Sequence, residues 1–116
     1  MSKELVVLIV DDDMINLKLL SSILTKNPDV KDVIEAKNGA EAVHQIKLRS
    51  DINLILLDII MPIMNGLEVL KVVRSDTNIA QIPIVVLTTD ETKKREALEL
   101  GANDFITKPI RSSELT

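Results

Sequence analysis

Residues Leu54–Gly66 read LILLDIIMPIMNG, and this stretch decides the fold. Four apolar residues, Leu54-Ile55-Leu56-Leu57, run without interruption and stop at a single carboxylate, Asp58. An unbroken apolar run of that length, followed by Met61-Pro62 and Asn65-Gly66, reads as a β-strand buried on both faces. Strands of that kind belong to parallel sheets flanked by helices. In open sheets of this type ligands bind outside the carboxyl ends of the strands, which is where Asp58 falls. Further strands deliver polar groups to the same rim.

Towards the N-terminus, Leu5–Val10 (LVVLIV) is a second strand without polar alternation, ending at Asp11-Asp12-Asp13. Asp13 suits the N-cap of the next helix, whose Leu17, Leu20, Ile23 and Leu24 fall on one 3.6-residue stripe. Lys26, Asn27 and Pro28 stop that helix. Val33–Ala36 is short and flanked by charge, as an edge strand should be. Asn38 and Glu41 have capping-box spacing and open a helix running through Val43 and Ile46 to about Arg49.

Beyond the central stretch, Asn65 and Glu68 repeat that spacing and start a helix with Val69, Leu70 and Val73 inward. Pro83 opens a strand, Ile84–Leu87, where a missing N–H is tolerable. The strand ends at Thr88-Thr89-Asp90, and the following helix is expected to be capped by Asp90 and closed by Gly101 at C′. A fifth strand, about Asp104–Thr107, ends at Lys108-Pro109. Five strands alternating with helices give an α/β class with a doubly wound parallel sheet. Only Ile110–Thr116 follow Pro109, too few for a fifth helix that covers a sheet face. The chain therefore reads as one domain, 1–116, cut from a longer protein, with an apolar groove expected beside the incomplete fifth helix.

Composition narrows the function. The 116 residues suit a single core, and with 46% apolar residues but one aromatic, Phe105, that core must be aliphatic. A net charge of −4 argues against direct nucleic-acid binding through phosphate contacts. The absence of cysteine removes disulfides and thiolate chemistry. No signal-peptide pattern and no membrane-length apolar run occur, so a cytoplasmic domain off the membrane is expected.

Four strand ends carry polar groups: Asp11 and Asp12, Asp58, Thr88, and Lys108. Singly, each has a structural explanation as a cap, a strand end or an exposed lysine. Together on one rim they have a chemical one. Carboxylates crowded within ~4 Å repel by roughly 4 kcal/mol per pair at an effective dielectric near 20, more than one lysine offsets. A hard divalent cation resolves the conflict, and carboxylates with phosphate oxygens are the ligands Mg²⁺ prefers. Asp58 is then a candidate nucleophile for phosphoryl transfer, with Lys108 neutralising charge on the phosphoryl oxygens.

Val10-Asp11-Asp12, Leu57-Asp58-Ile59-Ile60-Met61-Pro62 with Gly66, Leu87-Thr88-Thr89, and Lys108-Pro109 occur in the order and at the intervals of a known family. The chain resembles a receiver domain of two-component response regulators, of the chemotaxis-regulator kind. The resemblance implies a flavodoxin-like fold with strand order 2-1-3-4-5 and a phosphoprotein that acts as a switch rather than an enzyme. It implies Asp58 as phosphoacceptor, and Mg²⁺ held by Asp11, Asp12, Asp58 and the backbone carbonyl of Ile60. Thr88 would hydrogen-bond the phosphoryl group, Lys108 would pair with it, and the Lys108-Pro109 bond would be cis. Phe105 occupies the aromatic switch position, although a plain core role explains it equally well. Ile60 and Asp90 fall where such domains vary and would tune acyl-phosphate lifetime. The implied partners are a sensor histidine kinase or phosphotransfer protein, and an output domain or downstream protein at the surface of helix four, strand five and helix five.

Two other functions compete. A Mg²⁺-dependent phosphohydrolase with an Asp nucleophile usually has a second acid two positions on, where this chain has Ile60. A phosphorylation-independent interaction module would not need every acid, hydroxyl and lysine position filled. His44 lies on a polar helix segment without a second ligand, Lys93-Lys94-Arg95 reads as a solvated face, and Met61 and Met64 read as packing residues.

Overall fold

A computed structural model describes residues 4–59, 61, 64–88 and 91–107. Its elements run β1 (Leu5–Val10), α1 (Met14–Thr25), β2 (Val30–Ala36), α2 (Gly39–Leu48), β3 (Leu54–Asp58), α3 (Gly66–Ser75), β4 (Ile84–Thr88), a 3₁₀ turn (Glu91–Lys93), α4 (Lys94–Glu99) and β5 (Asp104–Thr107). All strand pairs are parallel, in the order β2-β1-β3-β4-β5. The class is α/β, flavodoxin-like, with β2 and β5 at the edges. The incomplete fifth helix, its groove and the Lys108-Pro109 bond lie outside the described residues.

The unbroken apolar runs of β1 and β3 are buried because helices cover both sheet faces. Val6, Leu8, Val10, Ile55, Leu57, Ile84 and Val86 pack with residues of α2, α3 and α4. Alternate positions Val7, Ile9, Leu56 and Leu87 pack against Leu17, Leu20 and Leu24 of α1. Ile23, expected on the same stripe, is only half-buried, at the edge of the contact. β2 is longer than Val33–Ala36: Val30 pairs with Leu5 and Asp32 with Val6, across a shift in register. Lys31 and Asp32 hide this extension because on an edge strand they can point to water.

Capping follows the sequence in part. The Asp13 side chain accepts from the Ile15 N–H and Asn38 from the Glu41 N–H. Asn65 and Glu68 form the full reciprocal box. Glu41 instead accepts from the Lys37 N–H, one residue before the cap. α4 has no side-chain cap at Lys93, and Asp90, its expected cap, lies outside the described residues. Gly101 ends α4 at φ 110°, a left-handed position that glycine tolerates best.

At the pole where the strands begin, two polar side chains act as staples. Asn53 accepts from the Val6 N–H and donates to the Glu4 carbonyl. Arg74, on the last turn of α3, donates to the carbonyls of Gly101, Ala80 and Ile82 and to the Asn103 side chain. Asn103 in turn accepts from the Ile84 N–H at the start of β4. Burial pulls the Arg74 guanidinium below its ordinary value.

Candidate phosphoryl-accepting site

The carboxyl ends of β1, β3 and β4 are neighbours in the sheet. Asp11 follows β1 and is 1% exposed, Asp58 ends β3 at 6%, and Thr88 ends β4 at 1%. Among the described residues these are the only buried polar or charged side chains. A core of aliphatic residues that admits polar groups at one place alone concentrates its chemistry there.

The three consecutive aspartates are sorted by local hydrogen bonding. The Asp11 N–H donates to the Ala36 carbonyl at 3.1 Å, extending the β1–β2 ladder by one residue. Its Oδ1 accepts from the Asp13 N–H at 2.9 Å, which orients the carboxylate. Asp13 turns away to cap α1, and Asp12 is left exposed at the rim. One carboxylate oxygen from each of Asp11, Asp12 and Asp58 lies within 4.8 Å of the others, a grouping that could hold a metal ion. Carboxylate oxygens are the donors a hard divalent cation such as Mg²⁺ takes, so Asp11, Asp12 and Asp58 would hold it directly or through water, and it would neutralise their shared charge.

Behind Asp58 the chain turns tightly. The Gly66 N–H donates to the Ile59 carbonyl at 2.8 Å, closing the loop between β3 and α3. A Cβ on Gly66 would stand 2.2 Å from the Asp58 carbonyl oxygen, so only glycine allows α3 to start this close to the acid. Met61 is buried and Met64 half-buried against the core, as packing residues.

Thr88 is the register partner of Thr107, and Phe105 lies two residues earlier on the same face of β5. Phe105 is half-buried against the core that α2, α3 and α4 cover. The Thr107 hydroxyl is 3.4 Å from Glu91. Ile60, Asp90 and Lys108, the remaining residues expected at the site, lie outside the described residues. His44 is exposed on α2, away from any acid cluster among the described residues. Lys94 and Arg95 are exposed too, and Arg95 pairs loosely with Glu99 at 4.0 Å.

Residues 7–116 match the family model of the response regulator receiver domain. The chain belongs to the receiver domain family. This receiver domain is 36% identical over 105 residues to the chemotaxis protein CheY1 of Helicobacter pylori, covering 89% of the chain and 84% of that protein. It is 41% identical over 112 residues to the aerobic respiration control protein ArcA of Escherichia coli, covering 95% of the chain but 44% of ArcA. Among solved structures, a putative response regulator from Chloroflexus aurantiacus superimposes with a TM-score of 0.90 at 32% identity, covering 97% of the chain and 92% of the other. The chain is thus comparable in length to CheY1 and spans less than half of ArcA. It is a phosphorylation-activated signalling switch of two-component systems, in a family that is generally not enzymatic and that works with histidine kinases or phosphotransfer proteins and output domains. Among the described residues no helix is long and apolar enough to cross a membrane.

Proposed function

We propose that Asp58 is the phosphoacceptor and that Asp11, Asp12, Asp58 and the backbone carbonyl of Ile60 hold Mg²⁺ beside it. The supporting observation is the convergence of Asp11, Asp58 and Thr88, the buried polar groups of the described chain, with Asp12 alongside at adjacent strand ends. An Asp58 carboxylate oxygen bonds to phosphorus as the donor's bond to phosphorus breaks, and the donor imidazole leaves with the electron pair. Bound Mg²⁺ supplies charge neutralisation at the phosphoryl oxygens. The Thr88 hydroxyl donates to the phosphoryl group, and the Lys108 ammonium pairs with it. The domain promotes its own phosphorylation and dephosphorylation and turns over no other substrate.

The donor is a sensor histidine kinase or phosphotransfer protein. Met14, Ile15 and Leu19 are exposed on the first turns of α1, directly after the aspartates, and offer it an apolar landing surface. Phosphorylation draws Thr88 inward, Phe105 follows by packing, and the surface of α4, β5 and the fifth helix changes its affinity for an output domain or downstream protein. The domain, residues 1–116, acts in the cytoplasm and binds neither nucleic acid nor membrane directly. Ile60 shields the acyl phosphate from water, and Asp90 also tunes its lifetime. Ile60→Asn is expected to speed dephosphorylation, and an unchanged rate refutes that role.

Acetyl phosphate with Mg²⁺ separates the switch from a phosphohydrolase. Stoichiometric labelling of one group per chain supports the switch, whereas steady release of phosphate from a phosphomonoester supports an enzyme.

A further inference from the structure

The turn between β2 and α2 touches both halves of the acid site. Ala36, which ends β2, accepts from the Asp11 N–H at 3.1 Å. Three residues on, the N–H of Gly39, which begins α2, donates to the Met64 carbonyl at 3.2 Å. Met64 belongs to the loop that leaves Asp58, and β1 separates β2 from β3 in the sheet. Residues 36–39 therefore reach from Asp11 past the tip of β1 to the loop that follows Asp58. That loop is closed at its base by the Gly66–Ile59 hydrogen bond, and among its described residues Met64 takes a backbone hydrogen bond from α2.

The contact has no spare room. A Cβ on Gly39 would stand 2.4 Å from the Met64 carbonyl oxygen and 2.8 Å from Met64 Cβ and Cγ. The nearest obstacle is backbone, which cannot swing aside as a side-chain end can. Gly39 does not have the left-handed φ found at Gly101, so glycine serves here for space. Alanine at a helix start would ordinarily strengthen the helix. At this position it must push Met64 away or tilt α2.

We propose that residues 36–39 are a brace that sets the Asp58 loop relative to Asp11, and that Gly39 is a positioning residue for phosphoryl acceptance. The proposal rests on the reading of Asp58 as phosphoacceptor. An added methyl forces the Gly39–Met64 contact open by at least ~0.6 Å, and misplacement by about 1 Å can cost on the order of 100-fold in rate.

The test compares wild type, Gly39→Ala and Arg74→Met for labelling rate with acetyl phosphate and for the Mg²⁺ concentration giving half the maximal rate. Arg74→Met removes a staple at the opposite pole and controls for lost stability. The expected result is labelling at least fivefold slower and a raised Mg²⁺ requirement in Gly39→Ala, with both values within twofold of wild type in Arg74→Met. A Gly39→Ala variant that labels like wild type overturns the brace alone, as does loss in both variants in proportion to melting temperature. No labelling of wild type overturns the Asp58 reading and the brace with it. If Gly39→Ala does not fold, amide exchange in wild type decides: saturating Mg²⁺ should slow exchange at Gly39 by more than at Asn53, whose slowing reports only the global gain in stability, and equal slowing at the two amides overturns the proposal.

Discussion

Replacing Asp58 by asparagine should stabilise the metal-free protein while abolishing phosphorylation. The carboxylate oxygens of Asp11, Asp12 and Asp58 lie within 4.8 Å of one another. At that separation and an effective dielectric near 20, each pair repels by about 3.5 kcal/mol. Asp12 is exposed, so solvent screens its share, and the dominant conflict is between the buried Asp11 and Asp58. Asparagine keeps the size of Asp58 and removes its charge, and with the charge goes the favourable part of the interaction the carboxylate makes with its surroundings. A net gain of about 1–2 kcal/mol is expected, equivalent to a rise of roughly 4–8 °C in melting temperature for a domain of this size. The assay is thermal unfolding in EDTA and again in Mg²⁺. Wild type should recover much of the deficit in Mg²⁺, since ligand at ten times its dissociation constant adds about 1.4 kcal/mol. The variant should respond far less. An Asp58→Asn protein less stable than wild type in EDTA, or a wild type indifferent to Mg²⁺, would refute the reasoning.

Gly66→Ala should cost at least about 1–3 kcal/mol by overpacking against the Asp58 carbonyl, and should slow labelling as well; urea unfolding and intact mass measure the two effects. Arg74→Met should cost about 2–4 kcal/mol in urea unfolding, because four hydrogen bonds joining α3 to the starts of β4 and β5 are lost together. The Ser21 hydroxyl bond, with Lys18 beside it, holds the Glu35 carboxyl below its ordinary value of 4.5. Because the folded value is the lower one, this contribution is present above pH 4.5 and fades as pH falls through the folded value. A carboxyl titration by NMR should show Ser21→Ala raising the Glu35 value, and no rise would contradict the role given to Ser21.

The strands were legible because β1, β3 and β4 are apolar without alternation and each stops at a polar tip, whereas their order 2-1-3-4-5 came from the resemblance to receiver domains. The site was legible for the same reason, since Asp11, Asp12, Asp58 and Thr88 each end or follow a run that names its own boundary. β2 was read three residues short, because on an edge strand Lys31 and Asp32 carry no burial signal. Arg74 and Asn53 were missed altogether. Their partners are mainly backbone groups distant in sequence, and a lone arginine on a helix looks like solvated surface until the chain is folded. Gly39 lies unremarked between the capping residues Asn38 and Glu41, although glycine at the first helical position, where it weakens a helix, was a signal that space was scarce. Phe105 remained divided between core and switch, and its half-buried position on the strand face of Thr107 is compatible with both.

Reduction of the phosphorylated protein with borohydride tests the central claim most directly, because it converts an aspartyl phosphate to homoserine at the residue that carried it. After incubation with acetyl phosphate and Mg²⁺, peptide mass mapping should find homoserine at position 58 alone, and none when Mg²⁺ is chelated. Homoserine at another position, or at position 58 regardless of Mg²⁺, would contradict the account.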